Sequence, residues 1–285
     1  MKFTRKGAFA PILVLLSLTL LAGCGGGNSP SPSTSYTTNS IYAFMKAVQD
    51  ESGNVTTTVQ LRDGMLSTSQ YLYLGAGDIL YTSLDVPPEQ YINFSGNLFN
   101  NSLLLSQHLK VAAVRDLYIN YFLFTQVVTG KPEYFSDDTP STSSAAVRAY
   151  VDMERAGPVF TGASYVDLPS AYQILAPAAN AIVSCATPLT LTWTNVDSTT
   201  TMLLDVAGVC QDGSSYTQSY NIGTDTGTAT LSSANYFPAT GTSPSTNCHL
   251  AFILQRVRTV GVSPKFAFGS FEGVQQRTVQ FTTTP

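Results

Sequence analysis

From Ala146 to Glu154 the chain alternates: Val147, Ala149, Val151 and Met153 point one way, and Arg148, Tyr150, Asp152 and Glu154 the other. From Leu189 to Trp193 it alternates again, with Leu189, Leu191 and Trp193 separated by threonines. A period of two puts successive side chains on opposite faces of a strand, whereas a helix needs a period near 3.6. No helical period survives anywhere after residue 169. Composition agrees with this constraint. Charged residues are 11% of the chain while Thr, Ser, Tyr, Phe and Val abound, so hydroxyls rather than charges solvate the strand surfaces. The expected class is all-β.

Strand signals are dense from Ile41 onward. Val55–Leu61 is rich in β-branched residues and ends at Asp63-Gly64, a turn signal. Tyr71–Leu74 follows, Gly75-Ala-Gly77-Asp78 breaks it as a hairpin turn, Ile79–Thr82 resumes, and Pro87-Pro88 ends that strand. Another strand is expected over Tyr91–Ser95. Ser102–Phe124 is ambiguous: Leu105, Leu109, Ala113, Leu117 and Tyr121 have helical spacing, but the content from Leu117 to Phe124 favours a strand. The expectation there is one strand from 116 to 128, a strand or short helix before it, and a polar loop over 136–144. A proline towards each end of Val166–Pro177 marks a stiff crossing, with a boundary near Pro169. Beyond it, strands are expected at 189–194, 201–209, 217–222, 228–231, 249–258 and 277–283. That number of short strands fits a sandwich, and Trp193 resembles the tryptophan that packs between the sheets of immunoglobulin-like or fibronectin-like domains. The expected organisation is two β-sandwich domains, a β-rich one over 41–168 and an immunoglobulin-like one over 169–285.

The amino terminus has a different character. Lys2, Arg5 and Lys6 precede an apolar run from Ala8 to Leu21 that is too short to span a bilayer comfortably. A basic start, a short apolar core and small residues at its end make a secretory signal peptide, residues 1–23. Leu21-Ala22-Gly23-Cys24 resembles the lipobox of bacterial lipoproteins. That resemblance implies a diacylglyceryl group on the Cys24 thiol, cleavage before Cys24 and acylation of the new amine. Gly25 rather than Asp follows the cysteine, which favours the outer membrane. Residues 25–40, GGGNSPSPSTSYTTNS, have no apolar periodicity and read with Cys24 as a disordered tether, roughly 20–24 Å end to end. Further on, Cys248-His-Leu-Ala-Phe-Ile-Leu-Gln-Arg256, Gly261, Pro264, Gly269 and Gln276–Phe281 resemble uncharacterised bacterial lipoproteins in which a tether precedes β-rich domains. That group implies no activity, and a fold likeness licenses none by itself.

Loss of residues 1–23 leaves eleven of the 14 basic residues against 18 acidic ones, a net charge near −7. Phosphate recognition wants a basic face, so nucleic acid is excluded as a partner. With Cys24 lipidated, Cys185, Cys210 and Cys248 remain for an oxidising compartment. Cys210 ends one expected strand and Cys248 begins another. If those strands are antiparallel neighbours, the two sulfurs meet. The expected disulfide is Cys210–Cys248, with Cys185 left as a thiol; the competing arrangement joins Cys185 to Cys210. The spacings do not resemble a zinc site.

Catalytic signals are weak. Only two histidines occur, His108 and His249, and no Gly-x-Ser-x-Gly elbow accompanies either. Asp50-Glu51, Asp137-Asp138 and Asp225 lack EF-hand spacing. Gly75–Asp78 lacks the Gly-Lys-Ser of a phosphate loop. No cofactor or metal is expected. The leading expectation is a non-enzymatic, lipid-anchored envelope protein with a binding or structural role, meeting the membrane through its anchor and an envelope protein or glycan through its body. The alternatives are an envelope hydrolase using acidic residues such as Asp78 or Asp137, and a glycan-binding module displaying Tyr71, Tyr73 and Tyr81.

Overall fold

A computed structural model describes residues 29–66, 68–85, 87–88, 109–122, 125–140, 147–156, 159–232 and 246–285. The signal peptide 1–23, the lipidation site Cys24, the strand expected at 91–95 and His108 lie outside the described residues. The described residues form an all-β structure of several packed sheets. In the first half the strands are β1 (Ser31–Pro32), β2 (Tyr42–Gln49), β3 (Val55–Arg62), β4 (Tyr71–Tyr73), β5 (Ile79–Leu84), β6 (Leu109–Val111), β7 (Ala113–Phe122), β8 (Thr125–Asp138), β9 (Arg148–Arg155), β10 (Val159–Phe160) and β11 (Ser164–Asp167). In the second half they are β12 (Ile174–Ala176), β13 (Ile182–Ser184), β14 (Leu189–Trp193), β15 (Thr201–Cys210), β16 (Ser215–Thr224), β17 (Thr228–Leu231), β18 (Cys248–Gly261) and β19 (Phe268–Thr284).

One 11-stranded sheet runs through both halves in the order β1-β4-β3-β2-β19-β18-β15-β16, with β7, β8 and β13 attached to the side of this path. The joint is β19. Its first part pairs in parallel with β2, Phe268 opposite Tyr42, and its last part in parallel with β13, Ile182 opposite Thr282. Gly269 makes this possible: a Cβ there would lie 1.8 Å from the Ala43 carbonyl oxygen. Two smaller sheets cover one face of the large one. The first holds β10, β9, β5, β6 and β11, and the second holds β12, β14 and β17.

The alternation of β19 shows that both covers lie on the same side. Phe271 belongs to the first hydrophobic core, and Val279 and Phe281 to the second. All three occupy odd positions of one strand and so share a face. The first core joins Ile41, just before β2, and Val59, Leu61 and Leu72 of the large sheet to Leu80, Ala149, Val151 and Met153 of its cover. The second joins Met202, Leu204, Val206, Phe252 and Leu254 to Leu189, Leu191 and Trp193. Burying each large side chain contributes about 1.5–3 kcal/mol.

Five expectations change on contact with the structure. Residues 31–40, read as tether, belong to the body: β1 pairs with β4, and two 3₁₀ turns follow at Ser33–Ser35 and Thr38–Ser40. Local polarity hid this, because Ser33 is buried by distant partners. The single strand expected at 116–128 is a hairpin of β7 and β8, with Phe122 opposite Thr125. Its register slips between Arg115 and Leu117, placing an extra residue in β8 around Gly130, with φ 107°, and Pro132. Proline is tolerated within a sheet at such a bulge. Ser136–Asp138, read as loop, ends β8 and pairs with β3. The turn at Gly75–Asp78 is real, with Gly77 at φ 88°, but it carries the chain from the large sheet to its cover rather than closing a hairpin. Finally, β9 buries Tyr150 and Asp152 as well as its apolar face. It is an inner strand of its sheet, and Asp152 accepts hydrogen bonds from the Met153 amide and the Thr161 hydroxyl at 2.8 and 2.9 Å.

Candidate functional site

The arm preceding β2 is fastened by Asp78. The Ser33 hydroxyl donates to Asp78 Oδ2 at 2.6 Å and accepts from the Gly75 amide at 2.9 Å. Arg155 Nε meets Asp78 Oδ1 at 3.2 Å, and Arg155 Nη2 donates to the Ser33 and Tyr36 carbonyls at 3.2 and 3.0 Å. The Asp78 side chain is fully buried. Its role is to hold the arm. Asp137 lies on the opposite face of the large sheet, exposed, and accepts from the Thr56 hydroxyl at 2.6 Å. The two acids share no partner, so the structure does not assemble them into an acid–base pair. Asp50 and Glu51 cap backbone amides: Asp50 Oδ1 accepts from the Asn54 amide at 3.0 Å, and Glu51 accepts from the Thr278 amide.

Between the two cores lies a charged seam. Arg256 and Asp225 meet at 2.7 Å with both side chains fully buried. Asp225 Oδ1 accepts from Trp193 Nε1 at 2.6 Å and from the Gly227 amide at 3.2 Å, and its Oδ2 accepts from the Asp197 amide at 2.9 Å. Arg256 donates to the Ser170 and Thr194 carbonyls at 2.7 and 3.1 Å. The Tyr172 ring lies between two guanidinium groups, 4.6 Å from Arg256 and 5.5 Å from Arg277, and its hydroxyl donates to the Leu254 carbonyl at 2.5 Å. Burial pushes the Tyr172 phenol above its ordinary value. A buried charge survives only when paired and hydrogen-bonded, and this pair is both. Asp225, singled out as a loop acid, is a structural hub. Arg256 carried a legible signal: it extends the inward series Leu250, Phe252, Leu254 with a charge. A charge on the apolar face of a strand implies a buried partner.

Cys210 and Cys248 form a disulfide between β15 and β18, where they stand directly opposite each other with Cα atoms 3.9 Å apart. This is the pairing that the strand ends predict. Cys185 is buried outside that bond. Burial pushes its thiol up, partly offset by a hydrogen bond from Thr283. A raised thiol holds little thiolate and is a poor nucleophile.

The face of the large sheet opposite both cores carries polar and aromatic side chains, among them Lys46, Arg62, Tyr71 and Gln255. A hydrogen-bonded row crosses it: Lys46 Nζ donates to Gln255 at 3.3 Å, Gln255 donates to Asp205 at 2.7 Å, and the Ser219 hydroxyl donates to Asp205 at 2.5 Å. At one end Arg62 lies 4.9 Å from the Phe44 ring centre and 4.8 Å from that of Tyr71, and Lys131 lies 5.9 Å from Tyr71. Cations therefore already lie over Tyr71. Tyr81 stands on the covering sheet, apart from Tyr71 and Tyr73, because β5 does not pair with β4. At the other end, short Ala207 and Ala251 leave a groove of about 410 Å³ beside His249, whose Nδ1 is 3.1 Å from the Thr282 hydroxyl. No group of three or more His, Cys, Asp or Glu among the described residues is arranged to hold a metal ion. Comparison with protein-family models and with curated protein sequences finds no match.

Proposed function

We propose that the protein is a lipid-anchored structural or binding component of the bacterial envelope, held by acyl chains on Cys24 at the outer membrane and presenting its large sheet to a partner. The observation that carries the reading is the fastening of the arm. β1 begins at Ser31, seven residues after Cys24, and the Ser33–Asp78–Arg155 set ties that arm to the core, with Ser33 and the Asp78 side chain buried. A chain pulled by its amino terminus gains from having the arm before β2 fastened, and here charge-assisted bonds to Asp78 do so. Of the acids considered for hydrolysis, Asp78 serves this lock and Asp137 accepts from the Thr56 hydroxyl on the opposite face. That use favours a non-enzymatic role.

Metabolic labelling with palmitate and fractionation test the anchor. Wild-type protein should carry label and sediment with membranes; Cys24→Ala should lose the label and become soluble. Unlabelled protein, or Cys24→Ala that stays with membranes, overturns the reading.

A further inference from the structure

We infer that the end of the large sheet bearing the β3–β4 turn rests in the interface of the anchoring bilayer, with Met65 and Leu66 inserted among the lipids; this rests on the lipidation of Cys24 proposed above. Three observations converge on that end. The first is chain direction. β1 pairs in parallel with β4, Ser31 opposite Leu72 and Pro32 opposite Tyr73. Ser29 and Pro30 therefore leave the sheet past the start of β4, which is where the β3–β4 turn lies. The Gln70 side chain donates to the Ser29 carbonyl and fixes this exit beside the turn.

The second is reach. Cys24 and Ser29 are five residues apart. Fully extended, five residues span at most about 18 Å, so acyl chains on Cys24 hold this end of the body against the membrane surface.

The third is the chemistry of the end itself. The turn base is closed by the Asp63 amide donating to the Gln70 carbonyl at 3.1 Å and the Gln70 amide donating to Asp63 Oδ1 at 2.8 Å. At its tip Met65 is 57% exposed and Leu66 70% exposed, a high exposure for adjacent large apolar side chains. Behind the tip, strand register sets a row across the sheet: Phe268 opposite Tyr42, Tyr42 opposite Arg62, Arg62 opposite Tyr71. Phe268 is half exposed. An apolar tip backed by tyrosine, arginine and the nearby Lys131 matches the layering of a bilayer interface. Aliphatic groups enter the acyl boundary there, while aromatic rings and cations sit among the headgroups.

Leu66→Trp tests this in the full lipidated chain, reconstituted into phosphatidylethanolamine–phosphatidylglycerol vesicles with and without acyl-chain bromine. Trp193, the chain's single tryptophan, is buried in the second core and supplies a constant background. The companion is Val209→Trp, at an exposed position beside Cys210 at the opposite end of the sheet. The expected result is a blue shift and loss of the added emission for Leu66→Trp in brominated vesicles, and neither for Val209→Trp. If the protein floats with vesicles but Leu66→Trp is not quenched, the insertion is overturned and the anchor stands. A blue shift without quenching, meaning the turn meets another copy of the chain, overturns it too. If the protein does not float, the anchor reading falls and takes the insertion with it.

Discussion

The two cores share one face of one sheet, yet they are closed by different means. Over the first, the five-stranded cover supplies Leu80, Leu84, Val147, Ala149, Val151 and Met153, and its ion pair Asp78–Arg155 serves the arm. Over the second, the cover is three short strands that bury Leu189, Leu191, Trp193 and Leu231. Here the buried Arg256–Asp225 pair, its ring of amide and carbonyl partners, and the Cys210–Cys248 bond supplement packing. Apolar burial scales with area, so a small lid gains little from it. Directed bonds fix such a lid in one position: Asp225 joins β14 through the Trp193 indole to β18 through Arg256.

The largest effect is expected of Asp225→Asn, which leaves the Arg256 charge buried without its counterion. Such a loss costs about 3–5 kcal/mol. Urea denaturation should show that loss, and amide exchange should accelerate in β14 and β17 before β2 and β3. Equal acceleration in both halves would mean that the two covers open as one cooperative unit. Next, reduction of the disulfide, or paired Cys210→Ala and Cys248→Ala, should lower stability by about 2–4 kcal/mol, read from denaturation with and without reductant. Gly269→Ala tests the opposite half. The added methyl would collide with the Ala43 backbone, and overpacking of this kind costs about 1–3 kcal/mol. Exchange should rise first in β2 and β3. The smallest effect concerns acid. Hydrogen bonds from Thr199, with the Arg258 guanidinium beside it, hold the Asp197 carboxyl below the ordinary carboxylate range. A depressed folded value contributes stability that is complete above the ordinary value of about 3.9 and disappears as pH falls through the folded one. Asp197→Asn should therefore melt slightly below wild type at neutral pH and coincide with it in strong acid.

The same contrast governs what the amino-acid sequence discloses. Strands whose neighbours are hairpin-close or that alternate cleanly, such as β3, β14 and β15, are legible from their own residues. So is the disulfide, once the strands ending at Cys210 and beginning at Cys248 are taken as antiparallel neighbours, which they are. What escapes is non-local. Nothing near Ser33 announces Asp78, 45 residues away, so a packed arm reads as a leash. Nothing in Tyr42–Gln49 announces a parallel partner more than two hundred residues later. The burial of Asp225 follows from a partner on β18 that nothing around Asp225 itself announces. The exposed tip at Met65 and Leu66 looks like a simple turn until β1 shows which way the upstream chain departs.

The position of β19 has a consequence for how the chain matures. The last strand in the described order lies in the interior of the large sheet, with β18 on one side and β2 and β13 on the other. Until it arrives, β2 has no partner on that edge, and the cores lack Phe271, Val279 and Phe281. Synthesis of everything upstream therefore yields only open precursors, and closure awaits the arrival of this one late segment. Under the envelope location proposed above, that order of events works as a built-in delay to folding.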